Sequence, residues 1–91
     1  MKRIDPIEYN LSPRTTLYKK MDIIFIIIDR KSRIIMKDGN RIFEQAKLIW
    51  SVEPSNRIRV ATSAPLCTKT KEYLWQADIE VLELNTLNIN S

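Results

Sequence analysis

The segment TSAPLC, Thr62 to Cys67, places the only cysteine of the chain where an apparent strand turns into an apparent helix. A thiol in the first turn of a helix ionises below the ordinary thiol range and can act as a nucleophile. The same position also suits packing, because a lone cysteine turned inward behaves as a small apolar residue. With no second thiol and no histidine to complete a reaction, the packing reading is favoured. Its sulfur is then expected to face the core, and alkylation of the native thiol to be slow. A second group of candidates is Asp22, Asp38 and Glu44 with Lys37, the residue types that hold a divalent metal and activate water. A third is Lys19, Lys20 and Lys37 with Asn40, Thr62 and Ser63, which could bind an anion beside the N–H groups and positive partial charge of helix N-termini. Caps use the same residues, so Asp38, Asn40 and Ser63 are each read first as helix caps. The absence of histidine removes the commonest metal ligand and general base, and a single glycine rules out a phosphate loop or dinucleotide fingerprint. No metal and no cofactor is expected.

These residues are positioned by elements that hydrophobic periodicity defines. DIIFIIID, Asp22 to Asp29, is a continuous apolar run, the pattern of a central strand covered on both faces. RIIMK, Arg33 to Lys37, resumes that pattern after too short a gap for a crossover, so an antiparallel hairpin is expected, closed by Gly39. Ile42, Ala46, Ile49 and Trp50 then share one helical face, and this first helix ends before Pro54. RIRVAT, Arg57 to Thr62, reads as a strand, and Leu66, Thr70, Tyr73, Leu74 and Ala77 form the stripe of a second helix with Ser63 as its cap. DIEVLEL, Asp78 to Leu84, alternates as a last strand.

The order ββαβαβ predicts a single small α/β domain: a mixed four-stranded sheet, an N-terminal hairpin followed by parallel crossovers, covered by two helices. Residues 1–20, with Pro6 and Pro13, read as an extended N-terminal arm pinned by Tyr9, Leu11, Leu17 and Tyr18; residues 21–85 form the domain, and 86–91 a polar C-terminal tail. Ligands of open α/β sheets sit beyond the carboxyl ends of the parallel strands. In this topology the start of the first strand lies at that same edge, so Asp22 and Lys19–Lys20 are expected to converge on Lys37, Asp38, Thr62, Ser63 and Cys67.

A hairpin whose first strand carries an acid, Asp22, and whose second ends in a lysine, Lys37, followed by α-β-α-β, resembles the core of the PD-(D/E)XK restriction-endonuclease-like superfamily in its smaller archaeal and Mrr-type members. The resemblance implies that Asp22 is the first metal-holding acid and that Lys37 helps activate the attacking water. Ile35 occupies the place of the second acid, with Asp38 displaced by three residues and Glu44 in the helix as a migrated substitute. A binding-only relative is therefore expected ahead of an active nuclease. The stretch APLCTKT is similar to the redox loop of thioredoxin and glutaredoxin domains, with Thr70 where the second cysteine would stand.

Composition ranks these readings. A net charge of +4 on 91 residues leans toward an anionic partner. The longest apolar run, six residues, is far short of the roughly twenty that a membrane helix needs. One cysteine forms no internal disulfide and the first residues lack an apolar signal core, so a cytoplasmic location is the expectation. The leading reading is a small basic, non-enzymatic binding module that contacts nucleic acid or a protein partner and folds alone or as a homodimer. A metal-dependent nuclease or degenerate nuclease-like protein is the alternative, and a thiol-based activity at Cys67 the third. Trp75, adjacent to the second helix's apolar stripe, is a candidate for partner contact or for stacking on a base.

Overall fold

The apolar run Ile23–Ile28 forms a central strand, but its antiparallel partner is the segment before it rather than the one after. In the computed structural model, which describes residues 1–87, the strands are β1 (Lys2–Ile4), β2 (Thr16–Lys20), β3 (Ile23–Ile28), β4 (Arg57–Thr62) and β5 (Glu80–Glu83). The helices are α1 (Met36–Val52) and α2 (Thr68–Gln76). The sheet has five strands in the spatial order β1-β2-β3-β4-β5, antiparallel from β1 to β3 and parallel from β3 to β5. The chain is thus an α/β domain with a mixed sheet and two helices, with one strand more than expected and the extra pairing at its N-terminal side.

Two corrections account for the difference. Residues read as an extended arm supply two strands: Leu17 and Lys19 point to one face and Thr16, Tyr18 and Lys20 to the other, and a two-residue turn at Met21–Asp22 joins β2 to β3. Arg33–Lys37 is not a strand. Ile34 makes only an isolated parallel bridge to Leu66, and Met36 already begins α1. Asp38 explains the early start, because from the third helical position its carboxylate accepts the N–H of Ile35, 2.9 Å away, and satisfies a donor the helix leaves open. Gly39 therefore lies inside α1 instead of closing a strand. Its missing side chain lets α2 approach: a Cβ there would meet Thr70 Cγ2 at 2.8 Å.

The link from β1 to β2 follows its sequence closely. Asp5 caps a 3-10 turn at Pro6–Tyr9 by accepting the N–H of Ile7, Pro6 stands in the first turn, and Asn10 ends it in the left-handed region at φ 63°. Tyr9, Leu11 and Leu17 are buried, as their role of pinning this segment requires, whereas Tyr18 is half-buried on the opposite face. Helix α2 ends in a Schellman motif: the N–H of Ile79 reaches the carbonyl of Leu74 at 2.9 Å and that of Asp78 the carbonyl of Trp75 at 3.0 Å, with Asp78 left-handed at φ 63°. Leu74 and Ile79 are fully buried, which supplies the apolar contact that accompanies this motif.

The core packs Leu17, Ile24, Ile26, Ile58 and Val60 of the sheet against Ile42, Ala46 and Ile49 of α1 and Leu74 of α2. Both crossovers step the same way along the sheet, so right-handed connections place both helices on that one face. There they touch, with the rings of Phe43 and Tyr73 in an edge-to-face contact at 6.0 Å. The continuous apolar run of β3 therefore does not mark a strand buried under helices on both sides. A second 3-10 turn at Leu84–Leu87 packs against β4 and β5, and the tail expected from residue 86 lies outside the described residues from 88 onward.

Candidate functional site

The carboxyl edge of β3, β4 and β5 is where the topology rule places a ligand, and here two loops close over it. The 29–35 and 63–67 loops run side by side: the N–H of Ile34 reaches the carbonyl of Pro65 at 2.9 Å, and the N–H of Cys67 reaches the carbonyl of Ile34 at 3.0 Å. Ile34, fully buried, and Ala64, 8% exposed, fill the space between them. Several polar side chains are engaged within the loops themselves. Ser63 donates its hydroxyl to Asp29 at 2.6 Å, and the Thr62 hydroxyl accepts the N–H of Ala64 at 3.0 Å. Ser63 is thus not the cap of α2. Asp38 pairs with Arg30 at 2.6 Å, and that guanidinium first, with the Ile35 N–H second among the favourable causes, holds its carboxyl below the ordinary range.

The expected convergence of candidates splits into two groups. Asp22, Lys19 and Lys20 lie where β2 turns into β3, whereas Lys37, Asp38, Asn40, Thr62, Ser63 and Cys67 follow the carboxyl ends of β3 and β4. The six residues of β3 separate the groups by about 20 Å. Within the first, the carbonyl of Asp22 accepts the N–H of Arg57 at 2.7 Å, and Lys19 pairs with Glu53 at 3.5 Å. Glu53 also accepts a short hydrogen bond from the Tyr9 hydroxyl. Burial first, and that bond second, push the Tyr9 phenol above its ordinary range, while the same bond leads in lowering Glu53. Glu44 is exposed and pairs with Lys47 at 2.9 Å. Two acids stand at the carboxyl edge, Asp29 directly after β3 and Glu83 as the last residue of β5; the place of Asp29 immediately after the apolar run IIFIII was the available signal. Among the described residues, no three His, Cys, Asp or Glu side chains gather as a metal-binding group.

Cys67 is the N-cap residue of α2 and is half-buried. Its thiol is held below the ordinary thiol range, chiefly by the backbone N–H of Thr70, then that of Lys69, with a smaller contribution from Arg33. The thiol forms no cap hydrogen bond to the helix, and it is the nearness of those first-turn N–H groups that lowers it.

A surface the periodicity did not reveal is the sheet face opposite the helices. Cross-strand register aligns Arg3, Tyr18, Phe25, Arg59 and Glu80 in one row across all five strands. Thr16, Ile27, Ala61 and Leu82 form the next row, and Lys20, Ile23 and Arg57 the row on its other side. The face thus has an apolar and aromatic centre, a floor of Phe25 at 4% exposure, and four cations, Arg3, Lys20, Arg57 and Arg59, against the single carboxylate of Glu80. Among the described residues none of these four cations holds an ion pair; the pairs found join Lys19 to Glu53, Arg30 to Asp38 and Lys47 to Glu44. The residue signal was present in the alternation of RIRVAT, which sends Arg57 and Arg59 to one face and Ile58 and Val60 to the other.

The fold and this face define a two-layer α/β domain, helices on one side of a mixed sheet and a cation-rimmed sheet surface on the other. Comparison with protein-family models, with curated proteins and with solved structures finds no match. No described helix is long and apolar enough to cross a membrane.

Proposed function

We propose that this chain is a non-enzymatic nucleic-acid-binding module that holds a single strand on the helix-free face of its sheet. The observation that carries the reading is the Arg3–Tyr18–Phe25–Arg59 row, flanked by Lys20 and Arg57. Arg3 and Arg59 stand three strands apart, about 14 Å, with the half-buried ring of Tyr18 between them and Phe25 buried beneath as the floor. Proteins that bind single strands combine cations that follow the backbone with aromatic and apolar surface on which bases rest. A duplex would present only phosphates to such a face and leave its apolar centre unused. The separation of Asp22 from Lys37 along β3 supports the non-enzymatic form over the nuclease alternative.

The test is fluorescence anisotropy of a labelled single-stranded 20-mer at increasing salt. Four phosphate contacts give a slope of log K against log salt of about −3, from roughly −0.7 per contact on a single strand. The double substitution Arg57→Gln with Arg59→Gln reduces that slope by about half. Lys47→Gln with Lys71→Gln, on the helices, leaves it unchanged. Absence of binding at low salt, or an equal loss from the two pairs of substitutions, refutes the reading.

A further inference from the structure

Next to this face, at the N-terminal ends of β4 and β5, lies a cleft of about 810 Å³ lined by Trp50, Trp75, Arg57, Arg59, Asp78 and Glu80 among others. Its origin is a difference in strand length. The first pair joining β4 to β5 is Arg59 with Glu80, so Arg57 and Ile58 have no strand beyond them and leave a notch in the sheet edge. The carboxyl-terminal parts of α1 and α2 overhang it, each contributing a tryptophan. Trp50 is a fixed wall, since its Nε1–H donates to the carbonyl of Asn56 at 2.9 Å. Trp75 is 66% exposed, an unusual state for the largest apolar side chain. Arg59 and Glu80 are direct cross-strand partners, yet among the described residues neither holds an ion pair.

We propose that this cleft is a nucleobase subsite at the end of the sheet surface, with Trp75 stacking on the base, Arg57 and Arg59 holding its phosphate, and Asp78 and Glu80 accepting hydrogen bonds from an exocyclic amino group. The inference rests on the single-strand reading above and adds a base preference to it. A nucleotide is the occupant that matches the aromatic and charged lining together: a flat aromatic face for the indole, an anion for the two guanidiniums, and N–H donors for two carboxylates that can only accept. A quaternary ammonium would suit the tryptophans and carboxylates but not two arginines beside them. Carboxylates discriminate in favour of bases that carry an amino group, cytosine above all among pyrimidines, and against uracil and thymine, whose corresponding position is a carbonyl acceptor. Continuity with the sheet surface is direct, because Arg57, Arg59 and Glu80 belong to both.

The experiment follows tryptophan fluorescence of the full chain during titration with CMP and with UMP, and measures binding of oligo(dC) and oligo(dT) in parallel. Expected are quenching by CMP at lower concentration than by UMP and a preference for oligo(dC) of about tenfold, the scale of one well-placed base contact. Trp75→Ser, at an exposed position that folding does not need, abolishes the CMP quench and weakens oligo(dC) binding by about ten- to hundredfold, the scale of one lost base stack. Asp78→Gly, which suits the left-handed backbone there and so preserves the fold, together with Glu80→Gln, removes the CMP preference while retaining the quench. Oligonucleotide binding with the expected salt slope but indifferent to Trp75→Ser overturns the subsite and leaves the sheet reading standing. A CMP quench that depends on Trp75 in a chain that binds no oligonucleotide overturns the sheet reading and keeps the subsite. Quenching that follows protein concentration instead of nucleotide, with a dimer in sedimentation that Trp75→Ser dissociates, overturns the proposal in favour of self-association.

Discussion

Gly39→Ala would stabilise most exposed helix interiors, and in this chain it should do the reverse. The backbone there is ordinary helix, no glycine in the chain having positive φ, so alanine gains about 1 kcal/mol of helix propensity. Against that, the new Cβ lies 2.8 Å from Thr70 Cγ2, and Thr70 is fully buried and unable to swing aside. Forcing a methyl into such a contact costs about 1–3 kcal/mol, which leaves a net loss near 1 kcal/mol. Thr70→Ser removes the clashing methyl and keeps the hydroxyl, and the closest remaining atom, Tyr73 Cδ2, is at 3.5 Å, an ordinary contact. In the Thr70→Ser background Gly39→Ala should therefore stabilise, by about 1 kcal/mol, giving a coupling between the two sites of about 2 kcal/mol. Urea unfolding followed by far-UV circular dichroism measures all four proteins, with a common m-value as the check that only stability changes. Stabilisation by Gly39→Ala in the Thr70 background, or additivity of the two substitutions within about 0.5 kcal/mol, would refute the close approach of α1 and α2 at this point.

Met21, 85% exposed with φ 57° in the β2–β3 turn, occupies a position that favours glycine, and Met21→Gly should raise stability by about 1 kcal/mol and the melting temperature by about 4–8 °C. Tyr9→Phe removes the hydrogen bond to Glu53 and should cost about 1 kcal/mol at neutral pH, the carboxylate being partly exposed. Because Glu53 is lowered in the folded state, that difference should shrink in urea titrations as pH falls through the lowered value. Cys67 should react with iodoacetamide in the native protein with a midpoint below the free-thiol value of about 8.5. Its lowered folded-state value contributes stability above the unfolded thiol pKa and loses it as pH falls through the folded one, and labelling that appears only on unfolding would overturn the accessible, lowered thiol.

Much of the fold was legible. Strand β4 matches its reading residue for residue because Pro54 and the Ser63-Ala-Pro65 turn bound it, and both helices carry a clear stripe. Strand β2 was hidden because Lys19, on the core-facing side, is matched by Glu53 from the end of α1, a contact invisible in the sequence. The Met21–Asp22 turn also lacks the glycine or asparagine that announces a two-residue hairpin. Ile34 and Ile35 imitated a strand because Asp38 caps α1 backwards from inside the helix, and Ile34 is apolar for a different reason, to fill the gap between two loops. The candidate surface was missed for a related cause. A run that is apolar at every position states that both faces avoid water, but not whether a helix or a row of neighbouring side chains provides the cover.

The sheet's spatial order repeats its order along the chain, with every strand bonded only to its predecessor and successor. No strand has to be inserted between two that are already joined, so assembly can proceed by growth at one edge, in the direction of synthesis. The meander from β1 to β3 closes through the 5–15 link with its 3-10 turn and the two-residue Met21–Asp22 turn, and its pairings can form before the rest of the chain exists. The costly closure comes next, when residues 29–56 must fold back to lay β4 beside β3, and helix formation in α1 shortens that span before the strands meet. The one later strand, β5, then finds a finished edge waiting, reached by the shorter crossover through α2.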